Sequence, residues 1–409
     1  MDRNNRKQHL KKADIILFGA GEYARQFYRE YSDTYRIAGC ITNNPNEMVF
    51  FVDGKEICGV SRVEDLIKNK KESQYIVCAS SYASEMGNQL WLLGLVPGKD
   101  FCSLDMFRLI VSEKKIALSY GVCYMRAIHY CLKESESFSR DYEIFYGLSY
   151  MTRSAKEDAF LKFLVSICDM LLYNVTLSPD ERRKHEELLG YLPHGAVKIG
   201  IPVLTMSAYY PQSGSIGQVD NPYSVISKKT WWGPFTAADH NINKMIEKGI
   251  STDEILGIVC SENFYDAKWL NENYQKDLSA MVFAESMADI KISDYVRDQK
   301  GKRRLSIDAI HISNDVICEL SKRILKYLGY HDDFDVDLVK ARQLINTSEV
   351  PLYPSVIKGL ELKIYEGVPL YRLFTFKDFD PVTFEEYVRL YCDYCRSMMR
   401  YLKLGFFPE

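Results

Sequence analysis

Two residues in this chain have the type and the local setting for nucleophilic chemistry. Cys123 follows a strand-like run, Lys115-Ile116-Ala117-Leu118-Ser119-Tyr120, and the turn Gly121-Val122, and it precedes a helical stretch. A thiol at the start of a helix sits beside unpaired amide N–H groups and the positive end of the helix dipole, which favours a thiolate. His311 precedes a helix whose cap is Ser313 or Asn314, with Asp308 three residues before it. A histidine near a helix N-terminus is expected to stay neutral and to serve as a base. Cys123 and His311 are therefore the candidate catalytic pair for acyl transfer or ester cleavage. Both chemistries also need donors for an oxyanion, and a phosphorylated donor needs cations. Arg126, one helical turn past Cys123, and the run Lys300, Lys302, Arg303 and Arg304 are the candidates to hold phosphates. A second ligand-type turn, Gly19-Ala20-Gly21-Glu22-Tyr23-Ala24, lies about a hundred residues upstream of Cys123.

The elements around these residues divide the chain. Residues 1–112 alternate strand and helix: strands at 15–18, 36–42 and 75–79, helices at about 22–31, 63–70 and 84–93, and a turn at Asp53-Gly54. That order predicts a doubly wound parallel sheet of Rossmann-like type. In it Gly19 permits the tight turn, Gly21 lets a phosphate approach the backbone at Glu22, and Ala24 allows close helix packing. The second strand ends in Ile41-Thr42-Asn43-Asn44, without the carboxylate that would hold a nicotinamide cofactor's ribose. The turn is thus expected to take a nucleotide or nucleotide-sugar, or to be structural only. Residues 13–107 resemble the Rossmann-like N-terminal domain of many bacterial sugar-modifying proteins.

Residues 113–409, after the linker Ser112-Glu113-Lys114-Lys115, read as a helix-rich α/β domain with a small sheet. Met125, Ile128 and Leu132 repeat along one helix face, and Val316, Ile317, Leu320, Ile324 and Leu328 along another. Strands are expected at the run into Gly121, at 196–204, at 278–283 and at 305–310. Trp231-Trp232-Gly233-Pro234 suggests a groove wall, a lid or a packed turn.

Three short segments of this region resemble the WcbI family of capsule polysaccharide biosynthesis proteins, over about residues 115–400. Gly121-Val122-Cys123-Tyr124 is similar to that family's Gly-Asn-Cys-Gln turn. Tyr209-Tyr210-Pro211-Gln212 is similar to its aromatic-His-Pro segment, and His311-Ile312-Ser313-Asn314 to its late Asn-His-Pro-like turn. Val122, Tyr124 and Ile312 depart from the family's Asn, Gln and Pro. The resemblance implies coenzyme A or acetyl-CoA as cofactor and acyl transfer to a capsule or lipopolysaccharide sugar. It implies coenzyme contacts at Gly121, Arg126, Tyr210, Lys302, Arg303 and Asn314. Two alternatives stay open: an SGNH-like sugar acyl esterase, and a non-catalytic nucleotide-sugar-binding scaffold.

Composition narrows the rest. Apolar residues make up 47% and charged residues 26%, which is ordinary for a globular protein, and 409 residues suggest two or three domains. A net charge of -3 argues against a nucleic-acid partner. No stretch approaches the roughly 20 apolar residues of a spanning helix, and Met1 to Lys12 is too basic and polar for a signal peptide. Eleven scattered cysteines then read as reduced thiols in the cytoplasm, with at most peripheral association with a polysaccharide assembly and a homo-oligomer open. Cys392 and Cys395 have half a zinc site's spacing but fall in a helix capped by Thr383 and Glu386, so no metal is expected.

Overall fold

Strand β1 (Asp14–Phe18) is the centre of the first sheet because four of its five residues, Ile15 to Phe18, are almost fully buried, as a strand flanked on both sides by parallel partners must be. In the computed structural model, which describes residues 3–43, 49–149, 159–175, 178–213, 235, 237–331, 334–336, 348–365, 367–374 and 379–403, this sheet has six strands. Their order is β3 (Val49–Val52), β4 (Lys55–Arg62), β2 (Arg36–Thr42), β1, β5 (Gln74–Cys78), β6 (Phe101–Ser103). All pairs are parallel except β3 with β4. Between β1 and β2, helix α1 (Glu22–Tyr31) buries Ala24 and Phe27 against the sheet. The first expected helix and second strand thus have the boundaries read from the sequence. Expected as a bare turn, Asp53-Gly54 closes the β3–β4 hairpin, both residues having positive φ (50° and 77°) as a two-residue reversal requires. Strand β6 and the helix after it, Leu104–Val111, were not anticipated. The strand has three residues, and the helix is started by Ser103, whose hydroxyl accepts from the Met106 N–H at 3.2 Å.

Two compact units make up the chain: residues 1–118, 140–172 and 179–198, and residues 119–139, 173–178 and 199–409. Strands β7 (Lys115–Gly121), β8 (Tyr142–Leu148), β9 (Met170–Val175) and β10 (Val197–Pro202) form a sheet in the order β10-β9-β7-β8. Expected strands at the approach to Gly121 and at 196–204 are therefore present, while β8 and β9 add to them. The strand expected at 278–283 is instead the end of helix α2 (Ala267–Glu285). Leu278, Met281 and Ala284 are buried at a three-residue spacing, and Asp266 caps the helix by accepting from the Trp269 N–H at 2.8 Å. Residues 305–310 form no strand either. They enter a loop closed by a single antiparallel bridge, Ser306 with Ile312.

The second unit's helices bury the faces that periodicity marks out. In α3 (Cys123–Glu134), Met125, Ile128 and Leu132 are fully buried, and so are Val316, Ile317, Leu320 and Ile324 of α4 (Asn314–Tyr327), which packs on α3, whereas Leu328, expected on the same face, caps the helix end and is half-buried. The last helix, Phe384–Lys403, has the expected reciprocal cap: Glu386 accepts from the Thr383 N–H at 2.8 Å and Thr383 from the Glu386 N–H at 3.2 Å. Cys392 and Cys395 are buried in it, and all eleven cysteines are free thiols. No described helix is long and apolar enough to cross a membrane. Trp231-Trp232-Gly233-Pro234 and Asn44 lie outside the described residues.

Gly19 has φ of +111°, and a side-chain carbon there would stand 2.9 Å from the Ala79 carbonyl oxygen. Gly19→Ala is expected to destabilise the first unit by about 1–3 kcal/mol. Urea unfolding followed by the fluorescence of Trp91, with the other three tryptophans replaced by Phe, reads it; an unchanged midpoint would remove the steric reading of this glycine.

Candidate active site

At the end of β7 the chain must turn sharply into α3. Gly121 makes the turn with φ of +155°, and a Cβ on it would lie 2.0 Å from the Asn174 side-chain oxygen. That missing carbon is what lets Asn174, on β9, reach the turn and accept from the Val122 N–H at 2.8 Å. Val122 is the extended N-cap residue, and Cys123 opens the helix, half-buried. Gly121 itself is buried beneath the turn.

The partner of Cys123 comes from the loop before α4. Loop residues 305–313 are closed on themselves by Ile307 N–H donating to the His311 carbonyl at 2.9 Å and Ser313 N–H to the Leu305 carbonyl at 3.0 Å. At its tip Asp308, 4% exposed, accepts from the Ile310 N–H at 2.9 Å and the His311 N–H at 2.7 Å through one oxygen. Its other oxygen lies 2.6 Å from His311 Nδ1. A carboxylate accepts only, so Nδ1 carries the proton that faces Asp308, and the remaining ring nitrogen, Nε2, is left for the hydrogen bond to the Cys123 side chain. Cysteine, histidine and aspartate thus form one chain of contacts, the arrangement that activates a nucleophile.

The protonation state differs from the expectation. Burial alone would push the His311 imidazole down, but hydrogen bonds to Asp308 and Cys123, with their negative charge, outweigh it and hold the ring up at about 10. His311 is therefore an imidazolium at neutral pH and not a neutral base. Because the folded value lies above the ordinary 6.5, the interaction's contribution to stability is complete below about 6.5 and disappears as pH rises through about 10.

The remaining expected residues are spread over the two units. Arg126 is exposed, its guanidinium against the Tyr130 ring and hydroxyl. Lys302 and Arg303 are exposed, Arg303 pairing with Asp315 at 3.4 Å, and Asn314 is the first residue of α4. Lys300 and Arg304 turn away from solvent: Lys300 lies over Tyr274, and Arg304 pairs with Glu349 at 2.7 Å between the rings of Tyr365 and Tyr371. Tyr210, expected to touch the coenzyme, is 1% exposed and donates its hydroxyl to the Ser306 carbonyl at 3.0 Å. It braces the loop two residues before Asp308. In the first unit Gly19 and Ala24 serve packing, and Glu22 is paired with Arg29 at 2.9 Å and Arg25 at 3.5 Å. Gly21 has open space around it at the start of its helix. Asn174 was missed as a site residue. The signal available was a carboxamide ending the apolar run Met170 to Tyr173, where a buried polar group demands partners.

Residues 117–333, more than half of the chain, match the family model described as "Polysaccharide biosynthesis enzyme WcbI". The chain belongs to the WcbI family. A solved structure of WcbI, called a novel polysaccharide biosynthesis enzyme, is described as the native protein without a disulfide bond between coenzyme A and one of its cysteines. It shares 16% identity and a TM-score of 0.54, over 69% of this chain and 89% of that one, so the two have a common fold. No curated protein sequence matches the chain. Within this WcbI-family chain the stretch matched by the family model contains Gly121, Cys123, Asn174, Asp308 and His311.

Removing the carboxylate tests the cause of the raised histidine. In Asp308→Asn the His311 ring-proton titration, followed by NMR, is expected to move from about 10 back toward the ordinary range, because burial is then opposed by Cys123 alone. An unmoved titration would show that Asp308 does not set it.

Proposed function

We propose that the protein is a coenzyme A-dependent acyltransferase of surface-polysaccharide synthesis, with Cys123 as the acyl carrier. The observation that carries this reading is the contact chain Cys123, His311, Asp308 at a strand-to-helix turn. The solved WcbI structure, described as the native protein without a disulfide bond between coenzyme A and one of its cysteines, supports the choice of donor.

The chemistry balances with one proton moving through one residue. Sulfur of Cys123, paired with the His311 imidazolium, attacks the thioester carbonyl of acyl-coenzyme A, and a carbon–sulfur bond forms. As the bond to the coenzyme breaks, its thiolate takes the proton from His311. The neutral imidazole then accepts the proton of a sugar hydroxyl, whose oxygen attacks the acyl-cysteine carbonyl; the sulfur leaves and the ester is complete. A histidine that rests protonated and becomes a base only after the first half-reaction fits this sequence. Asp308 keeps the ring oriented throughout. Exposed Arg126, Lys302 and Arg303 are the groups proposed for the coenzyme's phosphates, and a capsule or lipopolysaccharide sugar, in the cytoplasm, is the proposed acceptor. In the first unit, the open start of the helix at Gly21 is proposed for a nucleotide or nucleotide-sugar.

A second reading rests on the same three residues. With water in place of the sugar hydroxyl they would hydrolyse an acyl ester, and Asp308 three positions before His311 supports that esterase.

Incubation with acetyl-CoA is expected to add one acetyl group to the protein, mapped by mass spectrometry to Cys123 and absent from Cys123→Ser. His311→Ala is expected to slow transfer by about a hundredfold or more while coenzyme A still raises the melting temperature. Absence of both the adduct and the coenzyme-induced shift in the parent protein would sink the reading. An ester cleaved without coenzyme A, and only when Cys123 is present, would select the esterase.

A further inference from the structure

The nucleophile's turn is tied down by a buried relay that crosses three strand ends. Val122 N–H donates to Asn174 Oδ1 at 2.8 Å, Asn174 Nδ2 donates to the Tyr124 hydroxyl oxygen at 2.5 Å, and the Tyr124 hydroxyl donates to the Pro202 carbonyl at 2.6 Å. Carbonyl oxygens only accept. The Tyr124 proton is therefore committed to Pro202, its oxygen must accept from the Asn174 NH₂, and Oδ1 must face Val122. The second Asn174 amide proton faces the Ile201 carbonyl at 3.5 Å, so the donors and acceptors are mutually consistent. Asn174 is 1% exposed and Tyr124 is 2% exposed, so water cannot replace either. The relay brackets Cys123 on both sides, through the amide before it and the side chain after it, and the space it uses exists because position 121 has no Cβ.

We propose that Asn174 is a positioning residue for Cys123: through Val122 and Tyr124 it fixes the direction in which the sulfur leaves the start of α3, and thereby its alignment with His311. This rests on the acyl-carrier reading of Cys123 only for its catalytic consequence; the alignment itself is a property of the thiol. Asn174 does not touch the reacting atoms. Its effect passes through the turn, where a displacement of an ångström is enough to cost one or two orders of magnitude in rate.

Two measurements on the full-length protein decide the matter. The first is the rate of iodoacetamide alkylation at Cys123, quantified on its own peptide because ten other cysteines are present. The second is the rate of acetyl-Cys123 formation as a function of acetyl-CoA concentration. Asn174→Ala is expected to lower the alkylation rate and the maximal acetylation rate on the order of tenfold. The half-saturating acetyl-CoA concentration should stay within about twofold, because nothing in the relay reaches the coenzyme's proposed cations. Tyr124→Phe removes one oxygen and keeps the ring, and is expected to show the same split at about threefold. It serves where Asn174→Ala fails to fold. A purely structural Asn174 would lower the melting temperature and leave both rates of the folded protein at the parent's values, and that result overturns the proposal. If the parent forms no acetyl-cysteine, the acyl-carrier reading fails while the alkylation rates still decide the role of Asn174.

Discussion

The carboxylate of Asp308 holds three N–H groups at once, and the site depends on that. Two are the backbone amides of Ile310 and His311, which fold the loop, and the third is the imidazole, which the loop presents to Cys123. A carboxylate buried to this degree needs compensation, and hydrogen bonds to a charged partner supply it more strongly than neutral ones. One group therefore shapes the loop, selects the tautomer and keeps the proton on His311. These are not separable functions, because all three follow from where two oxygens are placed.

Cys123 is supported by the opposite kind of group. Asn174 is neutral, and its carboxamide both accepts and donates, so it can join the backbone of the turn to a hydroxyl without adding charge beside the sulfur. A carboxylate in its place would repel a thiolate, and an apolar residue would strand the Val122 amide. Tyr210 plays a related part beneath the other half of the site, holding the Ser306 carbonyl under the Asp308 loop. The aromatic richness of the chain is spent, at least here, on ring-sized buried supports with one polar end.

Much of the first sheet was legible because its evidence is local. A buried parallel strand reads as a continuous apolar run, and a helix as a periodic one, so Ile15 to Phe18, the strand 36–42 and the helix 22–31 could be placed to the residue or nearly so. Two strands carry too little pattern: Phe101–Ser103 has three residues, and Lys55–Arg62, between β3 and β2, buries only Val60 deeply. The stretch 278–283 misled because a run of apolar residues does not announce its own period. Its burial follows the spacing of a helix that starts eleven residues earlier, at Ala267.

The amino-acid order alone determined that Cys123 begins a helix after a strand, that His311 precedes another helix, and that Asp308 is near it in sequence. Each of these rests on neighbours within a few residues. Only the tertiary structure decided that Asn174, about fifty residues past the turn, fills the space of Gly121's missing side chain, and that Tyr210 lies beneath the Asp308 loop with its hydroxyl on Ser306. It also reversed the charge of His311. A helix N-terminus argues for a neutral ring, but a buried carboxylate and a thiol packed against the same ring outweigh it, and their closeness is set by the packing of α3 on α4 rather than by local sequence.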